Sequence, residues 1–296
     1  MNRRKFITGT SLAGLGLITG EKVMGAEGKA EREIGVFTKY LEKLSYDNLA
    51  SAISPLGIAG LEAPLRKGGH IQPEELAEKL PAFVSALAKQ KLKVLVMASS
   101  INQVDKKGLT EKQLRAAANA GIKKYRLAHL RYDLKKPIKP QVANFTAQLK
   151  DLAELNKELG IQGVYQNHRG RDFVGGPVWD MVGILENIGI KELGLAFDFA
   201  HATVEGANAW QMNFRRALPH IGTVFFKDYK LADKKWQSCP LGDGMVDPRA
   251  GKLVSKMLPK DIPACLHIEY IKGKDTVKQR LEAMKNDITT LRSWLD

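Results

Sequence analysis

The sequence predicts an α/β fold, a single-domain (β/α)8 barrel, and three observations carry that prediction. Short apolar runs alternate with longer helix-patterned stretches about eight times from Ile34 onward, at the spacing that a strand plus a return helix requires. The stretch from Leu193 to Glu205, LGLAFDFAHATVE, reads as a buried strand that runs out of apolar residues at an acid. Titratable side chains also recur where the apolar runs end, which is where parallel barrels keep their sites. A doubly wound open sheet is the alternative, but the first strand lacks the GxGxxG turn of a dinucleotide binder.

The expected strands are Ile34–Phe37, Gly57–Glu62, Lys93–Met97, Lys123–Ala128, Gln162–Gln166, Leu193–Asp198, Thr223–Phe226 and Ala264–Tyr270. Side chains alternate along a strand, so Gly194, Ala196, Asp198 and Ala200 share one face. Leu195, Phe197 and Phe199 take the other. Small residues ending in a carboxylate suit the crowded inside of a barrel, and the bulky ones suit a surrounding layer of helices. The competing reading of Asp198 is a helix N-cap with a surface histidine at His201. Expected helices include Tyr46–Ser54, Pro73–Lys89, Glu111–Ala120, Gln141–Leu159 and Val178–Asn187. Pro73 followed by two glutamates is a good start, since proline needs no donor there and acids suit the positive end of the helix dipole. Gly160 is a good stop, because it tolerates the left-handed cap. A periodic terminal helix, Thr276 to Trp294, either closes the barrel or meets another subunit as a homo-oligomer contact.

Composition narrows the class. With 296 residues and 44% hydrophobic content the chain can bury one large core, and no linker-like stretch divides it. The net charge of +14 invites a nucleic-acid reading. However, the lysines and arginines are interleaved with acids through helical patterns rather than gathered in a stripe with aromatics, so nucleic acid is not expected as a partner. Cys239 and Cys265 lack metal-type spacing and are expected to be free. Residues 1–26 read as an export signal: Arg3-Arg4-Lys5-Phe6-Ile7, a short glycine-rich apolar run and small residues around Ala26. Paired arginines followed by Lys-Phe-Ile resemble a twin-arginine signal, which carries folded proteins to the periplasm. The apolar run is too short for a membrane span, so residues 27–296 are expected as one exported barrel without a stable membrane anchor.

Read at the strand ends, the candidate site residues are Lys39; Glu62, Arg66 and His70; Ser99 and Ser100; Arg126 and His129; Gln166, Asn167, His168 and Arg169; Asp198 and His201; Lys227 and Asp228; His267 and Glu269. In this order, GLEAPLRKGGHIQPEEL, VYQNHRG, AFDFAHATVEG, FFKDY, PLGDGMVD and LHIEY resemble the sugar phosphate isomerase/epimerase family with the xylose isomerase-like barrel. That resemblance implies a divalent metal in the barrel mouth and proton removal beside a carbonyl on a sugar or cyclitol. It also implies acids at the ends of the fifth, sixth and eighth strands and a histidine on the seventh. Here Asp198 and Glu269 match, Gln166 stands for the fifth-strand acid, and Phe225 stands for the histidine.

Two outcomes are therefore expected as alternatives. One is a rearranged Mn, Zn, Co or Mg site drawn from Asp198, Glu269, His168, Gln166 and His201. The other is no metal, with Lys227, Arg66 and the histidines stabilising an enolate by charge and hydrogen bonds. Glu269, Glu62 and Lys227 are the candidate catalytic groups. Arg66, His70, Asn167, Arg126, Trp179 and Asp228 are the candidate contacts to a small-molecule carbohydrate, with Trp179 and Trp210 as stacking walls. Export favours an unphosphorylated sugar, keto-sugar or polyol. The rivals are a non-catalytic sugar-binding barrel and a lyase or hydrolase of keto-glycosides.

Overall fold

The computed structural model describes residues 31–271 and 276–296. The expected export signal lies outside the described residues. Eight parallel strands close into a barrel: β1 (Ile34–Phe37), β2 (Gly60–Pro64), β3 (Lys93–Ala98), β4 (Lys124–Arg126), β5 (Gln162–Gln166), β6 (Leu193–Asp198), β7 (Ile221–Phe226) and β10 (Ala264–Leu266). Each strand pairs with its neighbour in sequence order, and β10 closes the ring on β1 through Ile34 opposite Ala264. An antiparallel hairpin, β8 (Asp228–Ala232) and β9 (Lys235–Cys239), stands outside the ring. The hairpin is absent from the sequence reading because it lies outside the ring and most of its residues are not buried. The helices are α1 (Tyr46–Ile53), α2 (Leu76–Lys89), α3 (Leu109–Asn119), α4 (Ile138–Leu159), α5 (Trp179–Leu185), α6 (Phe199–Gly206), α7 (Trp210–Ala217), α8 (Arg249–Met257) and α9 (Val277–Leu295).

Boundaries move for local reasons. The second strand begins at Gly60 rather than Gly57, since Gly57 takes the left-handed conformation (φ 64°) that ends the turn Ser54–Leu56. A side chain at Gly60 could not be accommodated: its Cβ would lie 2.0 Å from the Lys93 carbonyl oxygen on the neighbouring strand. Pro73 opens a 3-10 turn, and the α-helix proper starts at Leu76. The eighth barrel strand stops at Leu266; His267 still donates its backbone N–H to the Phe226 carbonyl at 2.9 Å, and Ile268 to Tyr270 continue outside the strand. Gly160 ends α4 in the left-handed conformation, as expected.

Two apolar cores result. Leu95, Val96, Val164, Ala196, Phe225 and Cys265 fill the inside of the barrel, while a much larger cluster packs between the strands and the helices. Ala196 is inside, and Leu195 and Phe197 are outside, as the alternation requires. Ala200 departs from it, because α6 begins at Phe199 and Asp198 is its N-cap, accepting from the His201 N–H at 3.0 Å. Asp198 thus ends a strand and caps a helix at once, and His201 is buried rather than on the surface. Helix α9 buries Ala283, Met284, Ile288, Leu291 and Trp294, and Gly251 of α8 lies against Trp294, so this helix closes the barrel. Both cysteines are free.

The seam between the first and last strands is held by Arg32. Its buried guanidinium donates to the carbonyls of Pro259 (2.8 Å), Val254 (3.1 Å), Leu258 (3.0 Å) and Ile262. A cation at the end of α8 also meets the negative pole of the helix. Replacing Arg32 by Met should lower unfolding free energy by about 3 kcal/mol or more in urea melts, since it strands several buried carbonyls. The same change at Arg115, whose partners Glu111 and Glu158 are solvent-exposed, should cost less than about 1 kcal/mol.

Candidate active site

A period of two carries each strand from the apolar inside of the barrel into a polar layer above it. Val164 is followed by Gln166, Ala196 by Asp198, Phe225 by Lys227, and Cys265 by His267 and Glu269. Glu62 joins from β2 and Arg126 from β4. These side chains form one continuous chain of contacts. His267 Nε2 and Arg126 Nε each meet a carboxylate oxygen of Glu62 at 2.6 Å. Arg126 donates onward to the Gln166 oxygen at 3.0 Å, and the Gln166 amide donates to Asp198 Oδ2 at 2.7 Å. Lys227 Nζ lies 3.3 Å from that same Asp198 oxygen and 3.4 Å from Glu269 Oε2, which also accepts from the Tyr229 hydroxyl at 3.3 Å.

The direction of this chain is forced. Arg126 carries only donors, so Gln166 must turn its oxygen toward it and its NH2 toward Asp198. Burial alone would raise the Glu62 pKa, but Arg126 and His267 hold it down to about 2. Burial likewise works against Glu269, and Lys227, His267 and Lys39 bring it to about 2. For Lys227, burial disfavours the ammonium, and the charges of Asp198 and Glu269 outweigh it, so the pKa is raised. Glu269, whose side chain is 24% exposed, is where the chain of charges reaches the open mouth.

Beside it stands a group of imidazoles. The His168 ring is 3.9 Å from that of His201 and 4.7 Å from that of His129, between centroids. Phe173 covers His168 and His129. All three imidazoles are kept neutral, first by burial and then by nearby cations: His168 is lowered to about 4, His129 to about 2, and His201 well below its usual value. His168 Nδ1 lies 2.8 Å from the Arg169 carbonyl, which makes it the donor and leaves Nε2 as an acceptor. Among the described residues His201 has no hydrogen-bond partner at either ring nitrogen, its Nε2 standing 3.7 Å from Asp198.

The structure brings together Glu62, Arg126, Gln166, Asp198, Lys227, Glu269, His168 and His201, and it gives the other expected contacts different positions. Asn167 clamps two strand ends, donating to the Asp198 carbonyl and accepting from its N–H. Asp228 is buried and accepts from the N–H groups of Tyr229, Gly242, Gly244 and Val246, so it staples the 242–246 turn to the hairpin. A Cβ at Gly244 would come within 2.3 Å of Asp228. Trp179 donates to Asn213 of α7 and lies under Arg216, on the outer helical layer. Trp210 is buried against Phe199. Arg66 lies over Phe37, whose ring also carries Arg126 and adjoins His267, so it borders the mouth. His70 sits 2.9 Å from Thr38 Oγ1 behind it. Tyr229 and His129 belong with the site. The FFKDY run pointed to the first, and His129 was legible only as a strand-end histidine.

The donors present do not fit a divalent ion. The Gln166 oxygen is taken by Arg126, its amide protons face Asp198, and the seventh strand offers the Phe225 ring, which is packed in the barrel core. Among the described residues no three His, Cys, Asp or Glu side chains are arranged to hold a metal.

Both Glu62 oxygens are committed, so Glu62→Gln would leave Arg126 without its counter-charge. Stability at pH 7 should fall by about 3–5 kcal/mol. Because the folded pKa of about 2 lies below the ordinary 4.5, the carboxylate's contribution is complete above pH 4.5 and is lost as pH falls toward 2. Denaturant melts of both forms should converge through that window; equal stability at pH 7 would show that the pairing contributes nothing.

Residues 50–293 match the family described as Xylose isomerase-like TIM barrel. Among curated proteins none matches the sequence significantly. Solved structures show the same fold. The apo 3-keto-D-glucoside 4-epimerase of E. coli is 15% identical with a TM-score of 0.67, covering 89% of this chain and 100% of its own. A D-psicose 3-epimerase with D-tagatose from Clostridium cellulolyticum is 10% identical with a TM-score of 0.64, covering 89% and 98%. A xylose isomerase-like TIM barrel protein from Mycobacterium smegmatis in complex with magnesium is 14% identical with a TM-score of 0.60, covering 90% and 98%. Closed parallel barrel, matched profile and shared fold lead to one conclusion: the chain belongs to the xylose isomerase-like TIM barrel family.

Proposed function

We propose that this chain is a carbohydrate-modifying isomerase or epimerase that moves a proton at a carbon beside a carbonyl. Two solved structures of the same fold are described as sugar epimerases, which supports the substrate class. The observation that carries the chemistry is the contact of Glu269 with both Lys227 and Tyr229 at the mouth. Such a reaction needs a base at the carbon and donors at the oxygen that becomes negative.

Glu269 takes the proton; the C–H electron pair becomes the enolate double bond, and the carbonyl electrons move to its oxygen. Lys227 Nζ and the Tyr229 hydroxyl donate to that oxygen. As Lys227 turns toward substrate, Glu269 loses part of the charge that holds its pKa low and becomes the stronger base. His168 is neutral, presents Nε2 as an acceptor and lies near enough to feel the charge of Glu269. In an isomerisation, protonated Glu269 returns its proton to the former carbonyl carbon while His168 Nε2 takes the proton of the hydroxyl on the neighbouring carbon and passes it to the enolate oxygen, so both residues end as they began. In an epimerisation, Glu269 gives its proton to water, and water protonates the opposite face of the carbon. Glu62 and Arg126 act beneath this as a positioning pair, since both Glu62 oxygens and the Nε and Nη1 of Arg126 already have partners. Arg66 contributes from the rim.

The twin-arginine-like start places the work in the periplasm in this proposal, and the substrate is then an unphosphorylated sugar, keto-sugar or related polyol. Incubating the mature protein with a panel of such sugars in D2O should place deuterium at carbon, read by NMR. Glu269→Gln should slow that exchange by about 10²–10⁴-fold, and Lys227→Met by about 10²-fold or more, each scored on protein whose circular dichroism shows that it has folded. Sugar binding without exchange across the panel would replace this reading with a non-catalytic binding barrel.

A further inference from the structure

We infer that the Lys227 ammonium occupies the place of the divalent cation in this barrel, so that the site needs no metal. The catalytic part of this inference rests on the proton-transfer reading above; the cation-binding part stands without it. Lys227 Nζ lies 3.3 Å from Asp198 Oδ2 and 3.4 Å from Glu269 Oε2, two carboxylates brought from opposite sides of β7. A cation bridging these acids would have to share that space with a buried ammonium, and the repulsion between them in a low-dielectric pocket is large. In the position Lys227 takes here, ammonium and dication exclude one another.

Three further features agree with this assignment. The first is Gln166. Its amide protons point at Asp198, supplying a donor where a metal site would want another acceptor, and Arg126 locks that orientation from behind. An acid at 166 would confront Asp198 with a second negative charge at this distance, and the guanidinium of Arg126 beside it is already paired with Glu62. Second, Phe225 lies 4.5 Å from the His267 ring, between centroids, and fills the core below the site, so the seventh strand sends up no ligand from that position. Third, His201 Nε2 comes no nearer to Asp198 than 3.7 Å, beyond hydrogen-bond distance, and His168 turns its Nδ1 to the Arg169 carbonyl, so neither imidazole is hydrogen-bonded into the cluster of Asp198, Lys227 and Glu269. The positive charge that meets the substrate oxygen is thus covalently part of the chain. It is present as soon as the barrel folds, and its position is set by the end of β7.

The test is cation binding, read without any activity. The mature protein, purified without chelator, should contain less than about one-tenth of a divalent ion per chain by elemental mass spectrometry, and titration with MnCl2 or ZnCl2 should give no saturable heat. Lys227→Met leaves Asp198 and Glu269 facing each other without a counter-charge. If folded, it should bind Mn2+ at least about tenfold more tightly than wild type; a folded variant that gains no affinity would overturn the assignment of Lys227 to a cation position. About one ion per wild-type chain, lost in Asp198→Asn, would overturn the inference outright, and this measurement does not depend on whether Lys227→Met folds. The two readings fail separately. Deuterium exchange that requires added metal sinks the lysine assignment and leaves the isomerase reading intact. Metal-free protein that exchanges no sugar sinks the isomerase reading and leaves the lysine assignment standing.

Discussion

Charges buried in the neck of this barrel have to be paired, and that single requirement organises the site. Glu62, Asp198 and Lys227 are essentially inaccessible to water, and Arg126 nearly so. An isolated ion there would be far too costly to keep, so each is met by a partner of opposite charge or by an aligned amide. The result is a relay, from His267 and Glu62 through Arg126 and Gln166 to Asp198, Lys227 and Glu269, in which every member fixes the next. Because the ends of six strands contribute to it, the relay also ties the strand ends to one another. Its one partly exposed carboxylate, Glu269, is the one that opens on the mouth.

Beneath the relay, the apolar layer around Phe225 and Val164 keeps water from entering below. Above it, the turn held by Asp228 and the aromatic side chain of Phe173 shape the rim. The low dielectric made by these layers strengthens each contact inside. It also explains why the imidazoles remain neutral: burial penalises their charged forms, and Lys227 and Arg126 oppose any further positive charge.

Much of the fold was legible in the sequence, and the legibility tracked periodicity. The alternation in Leu193 to Asp198 placed Ala196 inside and Phe197 outside, as the structure does. It failed at Ala200, where capping by Asp198 starts a helix and the period changes. The hairpin at 228–239 was invisible because it lies outside the ring and buries little of itself. Among site residues, those at strand ends could be named from position alone. Whether such a residue faces substrate or another residue could not be. Asn167 and Asp228 are polar residues at strand ends like the others, but their hydrogen-bonding capacity is spent on backbone groups that only the folded loops bring near. Trp179 reads in the sequence equally as a sugar wall and as packing, and only the folded chain shows its indole N–H engaged by Asn213 of α7.

The sequence by itself determined the barrel, the ends of its strands and the identity of the groups that crowd there, because strand alternation and the strand–helix repeat are local properties of the chain. Only the tertiary structure decided which groups share a proton or a charge. Glu62 and His267 are 205 residues apart in sequence, and Lys227 and Glu269 are 42 apart. Electrostatic pairing acts over a few ångströms, and it is closure of the ring, β10 onto β1, that brings such distant residues within that range.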